Sequence, residues 1–244
     1  MQRYFLELMY MGTAYSGFQV QENASTVQAE VEKAFTILQR DKVEMTGSSR
    51  TDAHVHALQN YFHFDYDGDV HPQFVYKMNA ILPKDIVIKS LMPVNADAHC
   101  RFDVSSRTYH YHIYRKKNPF LSDTAHYYPF KMDFDVLKKV AEIIKEYEDF
   151  TSFSKRNTQV KTFNCEIFSS EWAEEAEQLI YKVRANRFLR GMVRGLTGTM
   201  LQAGRGRISI DDFRKIIESK DCRNADFAVP GKGLFLVNVE LRLP

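Results

Sequence analysis

One short stretch carries more chemistry than any other: Gly47-Ser48-Ser49-Arg50-Thr51-Asp52-Ala53-His54-Val55-His56-Ala57. It is polar, it lies between two apolar alternating runs, and it sets opposite charges two residues apart. A neighbouring cation keeps a carboxylate ionised, and an ionised carboxylate on a tight connection can serve as nucleophile or general base. The plainer reading is an Asx turn, with the carboxylate of Asp52 bonding nearby main chain. A second stretch stands out by charge. Between Glu177 and Asp211 there is no acidic residue, and the interval holds Lys182, Arg184, Arg187, Arg190, Arg194, Arg205 and Arg207. Such a run suits a polyanion, although a solvated basic face would look the same. His54/His56 and His110/His112 are His-x-His pairs that would share a strand face, but no third ligand stands at a metal-binding spacing, so no metal site is expected.

These residues need elements to hold them. Residues 3–11 alternate as a strand, 26–40 carry a helical stripe of Val27, Val31, Ala34, Phe35 and Leu38, and Ser25 with Gln28 has capping-box spacing. Residues 42–47 and 57–66 read as strands, 71–82 as a helix stopped by Pro83, and 85–92 as a strand. The order βαββαβ is ferredoxin-like. The second half repeats it loosely: a strand at 106–115, a helix at 134–146, a hairpin of 161–172 and 177–187, helices at 188–202 and 210–219, and a closing strand at 234–242. The expectation is an α+β chain of two ferredoxin-like halves, 1–105 and 106–244, with a central mixed or antiparallel sheet and flanking helices. On the helix drawn at 188–202, Arg187, Arg190 and Arg194 would form one stripe, and Gly191, Gly195 and Gly198 would mark close packing or a bend. The loop from Phe150 to Asn157 mixes Phe153 with Lys155 and Arg156, as an RNA clamp or an ordinary loop would.

Composition narrows the class. The chain has 244 residues, 44% hydrophobic and 26% charged, a globular balance with enough length for a real core. Net charge is +2, but residues 1–105 carry −4 and 106–244 carry +6. No apolar run approaches the ~20 residues of a membrane helix. The strand-like N-terminus is not read as a leader, and three scattered cysteines suit a reducing cytoplasm.

Ser49–Ala57 resembles the GRTDAGVHA signature of the tRNA pseudouridine synthase A (TruA) family. Other segments follow the family in order: Tyr15–Gln21 is similar to YxGWQxQ, and Thr26-Val27-Gln28 opens the matching helix. Asn79–Ile86 is similar to NxxLPxDI, Arg107–Tyr111 to RxYxY, Asp149–Phe153 to DFTSF, Phe188–Arg194 to FLxxMVR and Gly233–Val237 to GLxLV. The resemblance implies isomerisation of uridine to pseudouridine in the anticodon stem-loop of tRNA, without cofactor or metal, by a cytoplasmic homodimer. It implies that Asp52 is the catalytic aspartate, that Arg50 positions the phosphate or the flipped nucleotide, and that Tyr109 stacks on the base and assists proton removal from C5. It implies that Arg194 pairs with Asp52 and that Leu234 lines the base pocket. Arg187 and Arg190 would contact phosphate. A tRNA-binding relative without catalysis is the alternative, and the intact Arg50, Asp52, Tyr109 and Arg194 favour the enzyme. Two positions depart from the family: Ser49 and His54 stand where it has glycine. His54 either reaches the RNA or acts as a spacer in a turn of different shape.

Overall fold

The structure, a computed structural model, describes residues 1–156 and 160–242. By contact the chain divides into two units, residues 1–105 with 235–244, and residues 106–234. The closing strand therefore belongs with the first unit, where the sequence reading placed it in the second half.

The first unit runs β1 (Gln2–Tyr10), α1 (Val27–Gln39), β2 (Thr46–Gly47), β3 (His56–Tyr66), α2 (Phe74–Ile81) and β4 (Ile86–Val94). Strand β1 lies between β4 and β3, antiparallel to both, and β2 pairs with β3 on its other edge. That is the order expected of a ferredoxin-like unit. Strand β2 is only two residues long and covers β3 at Phe62 and His63. The start of the same edge is taken by β9 (Leu234–Leu241), parallel to β3 through His56–Phe235 and Ala57–Leu236, so the sheet is mixed. Residues Asn60–Phe64 of β3 are buried without a break because both faces are covered. On one face Phe35 of α1 meets Phe64 edge-on at 5.3 Å and Phe74 of α2 at 5.9 Å. On the other, the 95–103 segment brings His99 against His63 and the thiol of Cys100 within 3.2 Å of His63 Nδ1.

The cap of α1 differs from expectation. Thr26, not Ser25, is the N-cap, and its hydroxyl accepts from Ala29 N. Gln28 cannot close a box because its amide is used elsewhere: Nε2 donates to Met45 O at 2.7 Å and to Glu32, and Oε1 accepts from Val20 N. The first amides of the helix, Val27 N and Gln28 N, donate instead to Gly17 O and Phe18 O.

The second unit contains β5 (Val104–Tyr114), β6 (His126–Tyr127), α3 (Phe134–Ile143), β7 (Ile167–Glu175), β8 (Gln178–Ala185), α4 (Met192–Gly204) and α5 (Ile210–Glu218). β8 is antiparallel to both β5 and β7, and β6 runs parallel to β5. Tyr111, Tyr181, Leu137, Phe153 and Phe213 are fully buried, and the Trp172 indole donates to Met200 Sδ. Helix α4 begins four residues later than the sequence reading drew it. Its N-cap, Gly191, has φ +74, which a helix cannot pass through. Arg187 and Arg190 consequently sit in the connection before α4 and form no helical stripe with Arg194. The Phe150–Asn157 loop contains a one-turn helix at Thr151–Phe153 with Phe153 buried; Asn157 lies outside the described residues.

Three histidines make the fold acid-sensitive. Burial disfavours the cation and pushes His63, His110 and His126 down to about 4. The unfolded chain, near 6.5, binds more protons between these values, so stability is complete above about pH 6.5 and falls as pH drops toward 4. His63 has the least exposed side chain of the three. Urea midpoints at pH 7.5, 6 and 5 should fall in that order. His63→Gln should flatten the decline by roughly 1–2 kcal/mol at pH 5.

Candidate active site

Residues 48–55 join β2 to β3, and main chain on every side fixes their backbone. Ser48 N donates to Tyr61 O at 2.8 Å and Asn60 Nδ2 donates to Ser49 O at 3.0 Å. The hydroxyls of Tyr10 and Thr51 bond at 2.7 Å. A second segment, 12–18, lies directly on the loop: Phe18 N donates to Thr51 O, and His54 N to Tyr15 O. Gly12 N donates to His56 Nδ1 at 3.1 Å, and the His56 ring stacks on Phe235 at 4.5 Å. The approach is close enough to demand glycine. A Cβ on Gly12 would lie 2.0 Å from Val55 O, and one on Gly17 (φ +125) would lie 3.1 Å from Thr51 O.

This lattice buries Ser48, Ser49, Thr51, Val55 and His56 and leaves their neighbours outside: Arg50 is exposed and Asp52 half-exposed. A backbone bond from Val55 N to Asp52 O closes the turn. The two positions where the family has glycine behave differently. Ser49 keeps an ordinary negative φ and is buried beside Ser48. His54 has φ +64, a left-handed backbone, and holds it with a 2.8 Å bond from Nδ1 to Thr13 O. Because a carbonyl only accepts, Nδ1 carries the proton. The His54/His56 pair therefore spends both Nδ1 atoms on main chain. Among the described residues no group of three His, Cys, Asp or Glu side chains could hold a metal ion.

Sequence reasoning missed the supports. Asp85, in the turn before β4, accepts from the Tyr15 hydroxyl at 2.6 Å while its carbonyl accepts from Met11 N, anchoring both ends of the 11–15 segment. Arg101 donates to Gly47 O at 3.3 Å. Burial lowers its pKa, and the charge of Arg50 lowers it further, so two guanidiniums stand beside the loop. Tyr15, Gly17 and Asp85 lie in the segments similar to YxGWQxQ and NxxLPxDI, which mark them as family positions without saying what they hold; Arg101 carries no such mark.

In the second unit, Tyr109 on β5 is 8% exposed, with its ring edge-on to Phe188 at 5.0 Å and 84°. Tyr111 faces the same side and is core, with its hydroxyl on Pro230 O. Arg194 occupies the first turn of α4, where the helix dipole disfavours a cation. Carbonyls compensate: Nε donates to Val229 O at 2.8 Å and Nη2 to Phe227 O at 3.4 Å. The α4 glycines let that carbonyl segment in. A Cβ on Gly198 would lie 2.2 Å from Asp226 O, and one on Gly195 2.7 Å from the Phe227 ring. Leu234 is nearly buried, directly after Gly233, whose own Cβ would lie 2.8 Å from the Tyr111 ring.

The basic run is less uniform than its sequence. Lys182 pairs with Glu175 from the neighbouring strand, and Arg205 lies 3.6 Å over the Phe130 ring. Arg184 donates to Ser106 Oγ and lies over Phe168. Half-buried Arg187 and exposed Arg190 take no ion-pair partner among the described residues, and Arg190 O accepts from Lys155 N. His110 lies opposite Lys182 on β8, and His112 Nδ1 is bound to Gln178.

Comparison with known proteins adds the family. A family model described as tRNA pseudouridine synthase matches residues 8–103 and 147–241. The tRNA pseudouridine synthase A of Parabacteroides distasonis is 45% identical over 242 residues, covering 98% of this chain and 96% of that one. The protein of the same name from Porphyromonas gingivalis is 43% identical over 244 residues, covering 98% and 97%. That of Staphylococcus aureus strain MRSA252 is 35% identical over 242 residues, covering 98% and 92%. No helix among the described residues is long and apolar enough to cross a membrane.

The two left-handed positions beside the Arg50–Asp52 loop should respond in opposite ways. Gly17→Ala strains the backbone and presses on Thr51 O, and should destabilise by about 1–3 kcal/mol. His54→Gly loses the Thr13 bond, about 0.5–1.5 kcal/mol, but relieves a left-handed backbone by a similar amount. Thermal unfolding should show a clear drop for the first variant and little change for the second.

Proposed function

The chain belongs to the tRNA pseudouridine synthase family, and on that premise we propose that Asp52 is its catalytic aspartate and the anticodon stem-loop its target. The enzyme is an isomerase that converts uridine in tRNA to pseudouridine. The N1–C1′ bond breaks, the base turns, C5 bonds to C1′, and the proton leaving C5 is balanced by one gained at N1. A uridine within a stem must first leave the stack, at a cost of a few kcal/mol.

One observation supports the assignment above the others. The backbone on either side of Asp52 is pinned by buried neighbours, while Asp52 itself is half-exposed and Arg50 exposed. A carboxylate held in this way can attack C1′ or remove a ribose proton without first paying to order its loop. Arg50 positions the phosphate or the flipped nucleotide. Tyr109, with one ring edge against Phe188, stacks on the base and assists loss of the C5 proton; stacking offsets about 1–3 kcal/mol of the flipping cost. Leu234 lines the base pocket. The role of Arg194 as cation for the carboxylate rests on the resemblance, and a double-mutant cycle with Asp52 measures it. His54, Arg187 and Arg190 contact the RNA. The reaction uses no cofactor or metal, and the protein works in the cytoplasm as a homodimer. The intact residue set favours this reading over a tRNA-binding relative that has lost catalysis.

Tritium release from tRNA labelled at uracil C5 tests the proposal. Asp52→Asn should abolish release in single turnover while tRNA affinity stays within a few-fold, because phosphate contacts come from other residues. Near wild-type release would end the assignment. Arg187→Ala with Arg190→Ala should weaken tRNA binding and lower the slope of log affinity against log salt by about 1.5–2.

A further inference from the structure

The chain leaving β5 turns at a segment to which the catalytic reading gives no role. Arg115-Lys116-Lys117-Asn118-Pro119-Phe120-Leu121 holds three cations and no acid. Arg115, Lys116 and Lys117 are exposed and take no ion-pair partner among the described residues. Residues Pro119–Leu121 form one short helical turn capped by Asn118, whose Oδ1 accepts from Phe120 N at 3.0 Å. Ser122 N donates back to Pro119 O and Ala125 N to Leu121 O, while Lys232 Nζ donates to Ser122 O at 2.7 Å. Proline fixes its own φ, so the turn is stiff at its first residue as well. At the tip stands Phe120, 91% exposed.

A single exposed apolar side chain is ordinary, so exposure alone decides nothing. What separates Phe120 is its ring. The other exposed phenylalanines have covered faces: Phe102 lies 4.1 Å from His99, Phe130 lies under Arg205 and Phe168 under Arg184. Phe120 has no ring or cation partner among the described residues. The turn holds an uncovered aromatic face outward, directly after three cations that repel one another. Aromatic faces that accept stacked bases, set among cations that track phosphates, are how proteins hold unpaired nucleic acid. Phenylalanine has no polar handle, so its contribution must be stacking. Along β5, at 3.3–3.4 Å per residue, Arg115 lies about 20 Å from Tyr109, too far to touch the same nucleotide.

We propose that the Arg115–Leu121 turn is a second tRNA contact, in which Phe120 stacks on an unpaired base remote from the reacting uridine while Arg115, Lys116 and Lys117 hold the adjoining phosphates. The proposal rests on tRNA being the substrate but is independent of the assignment of Asp52, since its readouts are binding and fluorescence rather than turnover.

The test uses the full-length protein. Phe120→Ala should raise the Kd for tRNA about 5- to 20-fold, Phe120→Leu should do nearly the same, and Phe120→Trp should restore or tighten binding. The only native tryptophan, Trp172, is buried. Phe120→Trp therefore adds one exposed reporter, whose emission saturating tRNA should quench and shield from acrylamide. Lys116→Ala with Lys117→Ala should lower the salt slope by roughly 1.5. Unchanged affinity in Phe120→Ala, with Trp at 120 still open to acrylamide under saturating tRNA, would overturn the proposal. So would shielding that appears without RNA and grows with protein concentration, because that marks a contact between copies of the chain.

Discussion

The close contact between the 12–18 segment and the 51–55 loop governs the first unit's chemistry. No side chain fits between them at Gly12, and the hydrogen bonds that cross the gap include two between main-chain groups and one from the His54 ring to Thr13 O. The two amide-to-carbonyl bonds fix position without using the side chains of Arg50 or Asp52. Arg50 is thus left exposed and Asp52 half-exposed on a backbone held by hydrogen bonds to its neighbours. The same segment passes the amides of α1 to the carbonyls of Gly17 and Phe18. Its other anchor, Asp85, belongs to the turn before β4. A connection of eight residues is thereby tied to a helix, to three strands and to a turn far away in sequence.

The second unit uses a related device. Helix α4 breaks local rules twice, with glycines in its body and an arginine at its positive end. Both departures have one cause. The glycines admit the 226–229 segment against the helix, and the carbonyls of Phe227 and Val229 then receive the Arg194 guanidinium. Thr199 and Gln202, on the same helix, complete the seat: the Thr199 hydroxyl accepts from Asp226 N and Gln202 donates to the Asp226 carboxylate. Departures of this kind concentrate where a protein gives up helix stability to aim one side chain.

These devices explain what the sequence could show. Periodicity located β1, α1, β3, α5 and β9 to within a residue or two, because each buries a face whose pattern is written locally. The Arg50–Asp52 pair stood out as opposite charges in a polar connection, but its assignment came from the resemblance of Ser49–Ala57 to the family signature. What escaped was set by distant partners. The start of α4 depended on the backbone of Gly191, and the cap of α1 on where Gln28 spent its amide. The apparent cation run of 182–207 lost Lys182 to Glu175 because a hairpin put them together. Tyr15 and Asp85 stand in family-like segments whose residues do not say what they support, and Arg101 stands in none.

His54 shows how a departure from the family pattern can fit the same backbone. The position requires a left-handed conformation, which glycine adopts freely and most residues resist. Histidine accepts the strain and recovers part of it through the bond from Nδ1 to Thr13 O. That bond also determines the chemistry of the ring. With the proton on Nδ1, the neutral imidazole has Nε2 as a hydrogen-bond acceptor, and an acceptor suits a ribose hydroxyl rather than a phosphate. Where glycine would supply only backbone freedom, His54 supplies a polar atom two residues from Asp52 on a loop that cannot move away. The turn that carries His54 is thus held by a side-chain bond where glycine would leave only backbone freedom.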